Sequence, residues 1–67
     1  MRLLEIRKKK RISQLKMALD LNVSQNTISR YETGDREPDL GMLVRLADYL
    51  QVSLDYLVER TSENHWK

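Results

Sequence analysis

The chain has 67 residues, 33% of them charged and 40% hydrophobic, with no Cys, two Gly, one Pro and a net charge of +2. A chain this short is one domain that buries only about 60% of its unfolded surface, so its core is thin. Without Cys it has neither a disulfide staple nor a thiolate zinc site. No apolar run approaches the roughly 20 residues of a membrane span and no signal-peptide pattern appears, which fits a cytoplasmic setting.

The charge is unevenly placed. Residues 1–33 carry eight Lys/Arg and three acids, net +5, whereas residues 34–67 carry four Lys/Arg and seven acids, net −3. A basic half attracts phosphates while an acidic half faces away; ordinary solvated helix surface is the plainer reading of the same numbers.

Five helices and no strand are predicted, an all-α fold. The first runs from about Arg2 to Lys10, with Leu3, Leu4 and Ile6 inward and a basic end from Arg7 to Arg11, where cations suit the helix dipole. Ser13 can cap the second, Gln14 to Leu21, whose Met17, Ala18 and Leu21 face inward. Asn22 tolerates the left-handed conformation that ends a helix, and Val23 fills the turn.

Ser24 can cap the third helix, Gln25 to about Glu32, with Ile28 inward, Tyr31 in or beside the core, and Gly34 as its stop. The polar amides Gln25 and Asn26 at its start, with Arg30 a turn later, are residue types that read base edges in a DNA major groove.

Asp39 can cap a fourth helix, Leu40 to Leu50, with Leu40, Leu43, Leu46, Ala47 and Leu50 on one stripe. Ser53 can cap a fifth, Leu54 to about Arg60. Leu54, Tyr56, Leu57 and Val58 make that helix very apolar for its length. Some must face the core, and the rest, with Leu54, Tyr56 and Leu57 foremost, can form a self-complementary dimer patch. The tail holds the single His, His65, which cannot make a metal site alone, and Trp66, which either folds back onto an apolar groove or stays disordered.

The ordered residues Ile12-Ser13-Gln14-x-x-Met17-Ala18-x-x-Leu21-Asn22-Val23-Ser24-Gln25-x-Thr27-Ile28-Ser29-Arg30-Tyr31-Glu32-x-Gly34 resemble the lambda-repressor/Cro-like (Xre-type) helix-turn-helix family. The resemblance continues through Pro38, Leu43, Leu46, Ala47, Leu50 and Val52-Ser53-Leu54-Asp55-x-Leu57, and so covers about residues 2–58.

It implies a compact five-helix DNA-binding domain over residues 1–60, followed by a polar tail at 61–67. Such a domain binds operator DNA as a homodimer, with the third helix in the major groove and half-sites of a near-palindrome about 34–36 Å apart. Gln25, Asn26, Ser29 and Arg30 would then contact bases, amides pairing with adenine and Arg with guanine. Gln14, Arg7, Ser24, Thr33 and Arg36 would contact phosphates, with Gln14 also supporting Gln25. Arg7 and Glu32 would form a structural ion pair between the first and third helices.

Three residues depart from the family's pattern: Asn22, where Gly is common, and Leu15 with Leu19, in slots that usually carry Glu, Lys or Gln.

The expected function is sequence-specific transcriptional regulation, as a repressor. The alternative is a protein-binding adaptor, antitoxin or restriction controller, using Leu15 and Leu19 or the fifth helix to hold a regulatory partner. No second domain is visible, which leaves control to concentration, a partner protein or heterodimerisation. An enzyme is not expected: there is no Gly-rich phosphate loop, no Cys nucleophile and no G-x-S-x-G elbow, and no cofactor or metal is implied.

Overall fold

Four helix starts follow one rule. Ser13, Ser24, Asp39 and Ser53 each lie in extended backbone, and each side-chain oxygen accepts the N–H three residues on, from Lys16, Thr27, Met42 and Tyr56, at 2.8–3.1 Å. Such a cap is worth about 1 kcal/mol and decides where a helix begins. In the computed structural model, which describes residues 1–64, the helices are α1 (Leu3–Lys9), α2 (Gln14–Leu21), α3 (Gln25–Thr33), α4 (Leu40–Leu50) and α5 (Leu54–Leu57), with no strand among the described residues. His65 and Trp66 lie outside that range.

The helix ends share a second rule. A left-handed residue stands beyond each helix: Arg11, Asn22, Gly34, Gln51 and Glu59, with φ between 58° and 83°. Beyond four of them the next N–H reaches back five residues: Ile12 to Arg7, Val23 to Ala18, Val52 to Ala47 and Arg60 to Asp55, at 2.8–3.1 Å. This is the Schellman arrangement, which satisfies carbonyls that the helix leaves open. In three cases the returning residue is Ile or Val, which adds an apolar contact. Beyond α3 the arrangement differs: after Gly34, the Arg36 N–H reaches the Arg30 carbonyl at 3.3 Å.

The chain forms two units, Leu3–Glu37 and Met1–Arg2 with the chain from Pro38 onward. In the first, α3 packs against both α1 and α2, and Leu3, Ile6, Met17, Ala18, Leu21, Ile28 and Tyr31 are buried. In the second, α4 packs against α5, and Leu46, Ala47, Leu50, Val52 and Leu57 are buried. Arg2 is tied into this unit: its backbone N–H donates to the Leu57 carbonyl at 2.8 Å and its guanidinium to those of Tyr56 and Thr61. The guanidinium also lies over the Tyr56 ring, 4.7 Å from its centroid.

Four sequence expectations are corrected. Leu4 is 39% exposed, because Leu3 and Ile6 are one turn apart and Arg7, at the next turn position, takes the inward slot. Leu40 is 67% exposed, since it opens α4 more than one and a half turns before the first buried positions, Leu46 and Ala47. The fifth helix ends at Leu57 rather than near Arg60, cut short by left-handed Glu59. Leu57 itself is 0% exposed, a core residue with no surface to give a partner, so of the three residues expected at a dimer edge only Leu54 and Tyr56 retain some exposure.

Candidate nucleic-acid interface

Every base- and phosphate-contact residue expected from the sequence lies in the Leu3–Glu37 unit. The turn between α2 and α3 is set by Asn22 in the left-handed region, and both helices then open with the same pair, Ser followed by Gln. That pairing puts Gln14 and Gln25 each at the first position of its helix.

The 3.6-residue period divides α3 cleanly. Ile28 and Tyr31 are buried, and the Glu32 side chain is 4% exposed on the same side. Gln25, Asn26, Arg30 and Thr33 are exposed and Ser29 is half-buried. Steps of three and four residues link these five into one arc without an apolar member. Their side chains carry amide, hydroxyl and guanidinium groups, the donor and acceptor set that matches base edges and phosphate oxygens.

Behind the arc lies a polar network. Arg7 donates from Nε and Nη2 to the two Glu32 oxygens, a bidentate pair, and from Nη1 to the Ile12 carbonyl at 2.8 Å. Gln14 Nε2 donates to Glu32 Oε1 at 2.7 Å, and Gln25 Nε2 donates to Gln14 Oε1 at 3.4 Å. The network therefore ties α1, α2 and both ends of α3 together.

Its geometry bears differently on the expected phosphate ligands. Arg7 has a side chain 11% exposed and three N–H groups engaged, so it presents little surface to a phosphate. Gln14 is half-buried and engaged at both ends of its amide. The Ser24 hydroxyl caps α3 and lies 2.8 Å from that of Thr27. Thr33 donates to the Arg30 carbonyl at 3.2 Å, and Arg36 is exposed just past the end of the arc.

The sequence reading missed the Gln14–Glu32 bond. Its one local sign was the repeated Ser-Gln start, which gives two amides the same place on adjacent helices. Outside the arc, Leu15 and Leu19 on α2 are 53% and 69% exposed, beside a Lys16–Asp20 ion pair at 3.0 Å. Among the described residues no group of His, Cys, Asp or Glu is placed to hold a metal ion, and no helix is long and apolar enough to cross a membrane.

The chain matches the sequence profile of the helix-turn-helix family over residues 3–57. It is 41% identical over 56 residues to an uncharacterized HTH-type transcriptional regulator, YqaE, of Bacillus subtilis, covering 84% of this chain and 48% of that protein. It is 40% identical over 57 residues to the HTH-type transcriptional regulator ImmR of the same species, covering 85% and 45%. It is 37% identical over 54 residues to the cryptic phage CTXphi transcriptional repressor RstR of Vibrio cholerae, covering 78% and 48%. The chain thus spans about half the length of these relatives. No solved structure matches it.

Proposed function

The chain belongs to the lambda-repressor-like (Xre-type) helix-turn-helix family, and on that premise we propose that it is a DNA-binding transcriptional regulator that reads its operator with α3. The observation that carries this reading is the arc of Gln25, Asn26, Ser29, Arg30 and Thr33, wholly polar, with Gln25 tied through Gln14 to the nearly buried Glu32. Gln25, Asn26, Ser29 and Arg30 contact bases; Ser24, Thr33 and Arg36, flanking the arc, contact phosphates.

Repression as a homodimer on a near-palindrome is the form we favour, with residues 1–60 as the DNA-binding domain. One helix reads only a few base pairs, and two-fold symmetry doubles the site. A relative's description as a phage repressor supports the sign of regulation.

Selection of bound sites from random double-stranded DNA tests the proposal. It should return a near-palindrome with half-sites about one helical turn apart. Gln25→Ala should weaken binding to that operator by about 1–3 kcal/mol and leave random DNA almost unaffected. An unchanged operator preference in Gln25→Ala removes α3 as the reading helix.

A second reading has its own observation. Exposed Leu15 and Leu19 give α2 an apolar strip that DNA reading does not use, and the adaptor function would place a regulatory protein there. Capture of the same partners by wild type and Leu15→Lys/Leu19→Lys would remove it.

A further inference from the structure

We propose that the end of α1, through Lys8, Lys9 and Lys10, is the chain's main grip on the DNA backbone, holding the phosphates of one strand beside α3. This inference rests on α3 facing DNA, as proposed above, and names what holds the helix there.

The three lysines carry charge that the fold does not use. Arg7 opens the basic run, but its guanidinium is spent on Glu32 and the Ile12 carbonyl. Lys8, Lys9 and Lys10 are all exposed, and among the described residues none of them has a carboxylate within ion-pair distance. That includes Glu5, the one acid on α1, a turn behind them. Lys16 on α2, by contrast, is matched to Asp20.

Their place follows from the bonds on either side of them. Arg7 reaches Glu32 Oε1 at 3.2 Å from Nη2 and the Ile12 carbonyl at 2.8 Å from Nη1. The chain between Arg7 and Ile12 is thus held beside the Glu32 edge of α3. At about 100° per residue, Glu32 adjoins Gln25 and Ser29 around the helix, so that edge borders the arc. A helix with its side chains is about 10–12 Å across, and the major groove is about 12 Å wide. Seated there, α3 brings its flanks against the two backbones, and the Glu32 flank carries free ammonium groups. Successive lysines point about 100° apart, so at most two reach one strand while the third raises the local potential. A point charge on a flexible stem suits that task.

The other candidate grip is weaker. Arg36 stands past the end of α3 between Asp35 and Glu37, all three exposed. Two carboxylates flank its one guanidinium, and they repel the backbone that Arg36 attracts.

Cations at a helix C-terminus also favour the helix dipole, and the test separates that role from the grip. Duplex binding is measured across a salt series on the selected operator and on random DNA of equal length, with a melting temperature for each variant. Gln is close to Lys in helix propensity, so Lys8→Gln/Lys9→Gln/Lys10→Gln should stay folded. It should lower the slope of log affinity against log salt by about 2, and affinity for both DNAs by the same factor, about thirtyfold at 0.1 M salt. Arg36→Gln should change the slope by less than about 0.5. Lys16→Gln/Arg45→Gln/Arg60→Gln removes as much charge elsewhere and should change it by less than about 1. Gln25→Ala should move base preference and leave the slope as it is, the reverse of the lysine variant.

A lower melting temperature with an unchanged slope gives the lysines to the helix dipole and overturns the grip. An equal loss in the control variant overturns it too, since net charge alone would then account for binding. A larger loss from Arg36→Gln than from the lysine variant moves the main grip to the loop after α3. Unchanged operator preference in Gln25→Ala, with the slope lost in the lysine variant, removes α3 as the reading helix and leaves the phosphate contact of α1 standing.

Discussion

The Leu3–Glu37 unit and the unit from Pro38 onward start and stop their helices in similar ways, with Ser or Asp caps and left-handed ends. They differ in what fills the interior. Among the described residues from Pro38 onward, the buried ones are all apolar: Leu46, Ala47, Leu50, Val52 and Leu57. The first unit also buries Arg7, the one charged residue in the buried class among the described residues, and pairs it with the nearly enclosed Glu32 carboxylate. Apolar packing tolerates changes of shape that keep volume. A paired buried charge tolerates almost none on one side, because its partner is left uncompensated. The unit that carries the candidate interface is therefore the one whose interior is orientationally specified.

The strongest way to break this comparison is Glu32→Ala. Removing the carboxylate strands Arg7 and should cost on the order of 3–5 kcal/mol. For a domain of this size that lowers the melting temperature by more than about 12 °C. The exposed control in the same unit, Glu37→Ala, should stay within about 0.5 kcal/mol. Equal melting curves for the two would show that the pair does not hold the unit together.

Leu50→Ala probes the other interior and should cost about 3 kcal/mol, through lost transfer energy and a residual cavity. The contrast sharpens with conservative changes. Leu50→Met should cost less than about 1.5 kcal/mol, whereas Glu32→Gln, equally modest in shape, should remain the more damaging because it still leaves Arg7 uncompensated. If chemical denaturation ranks those two the other way, the distinction between the interiors fails.

Much of this was legible in the sequence, and the exceptions have physical reasons. The bounds of α2 and α4, all four caps and the stop at Gly34 followed from capping chemistry and periodicity, which are local. Leu4 and Leu40 misled because periodicity gives a direction around a helix but not which turns meet a neighbour. The short α5 was hidden because Glu59 is not a residue type that advertises a left-handed backbone. On the α3 arc, Gln25, Asn26 and Arg30 were readable from residue type and spacing, and Ser29 and Thr33 only through the family resemblance. The Gln14–Glu32 bond was not, since it joins side chains 18 positions apart and no repeat encodes it.

A smaller effect tests the turn on which the arc depends. Asn22→Ala places a β-carbon in the left-handed region without the local hydrogen bonding that makes Asn tolerable, and should cost about 1 kcal/mol. Asn22→Gly should be nearly neutral. Smallest of all, Leu19→Lys on the exposed side of α2 should shift stability by no more than about 0.5 kcal/mol. A larger loss would show that this leucine packs within the fold rather than standing free of it.

The left-handed helix ends have a further consequence, for how far this chain can be reshaped. Arg11 and Gln51 hold φ near 58° on exposed positions beyond the ends of α1 and α4. Gly at each would relieve about 1 kcal/mol of steric conflict and return part of it through the looser unfolded chain. The fold thus carries a small untapped margin at helix ends outside α3. Variants of α3 selected against new DNA sequences and found too unstable to survive could be recovered by changing these two residues first.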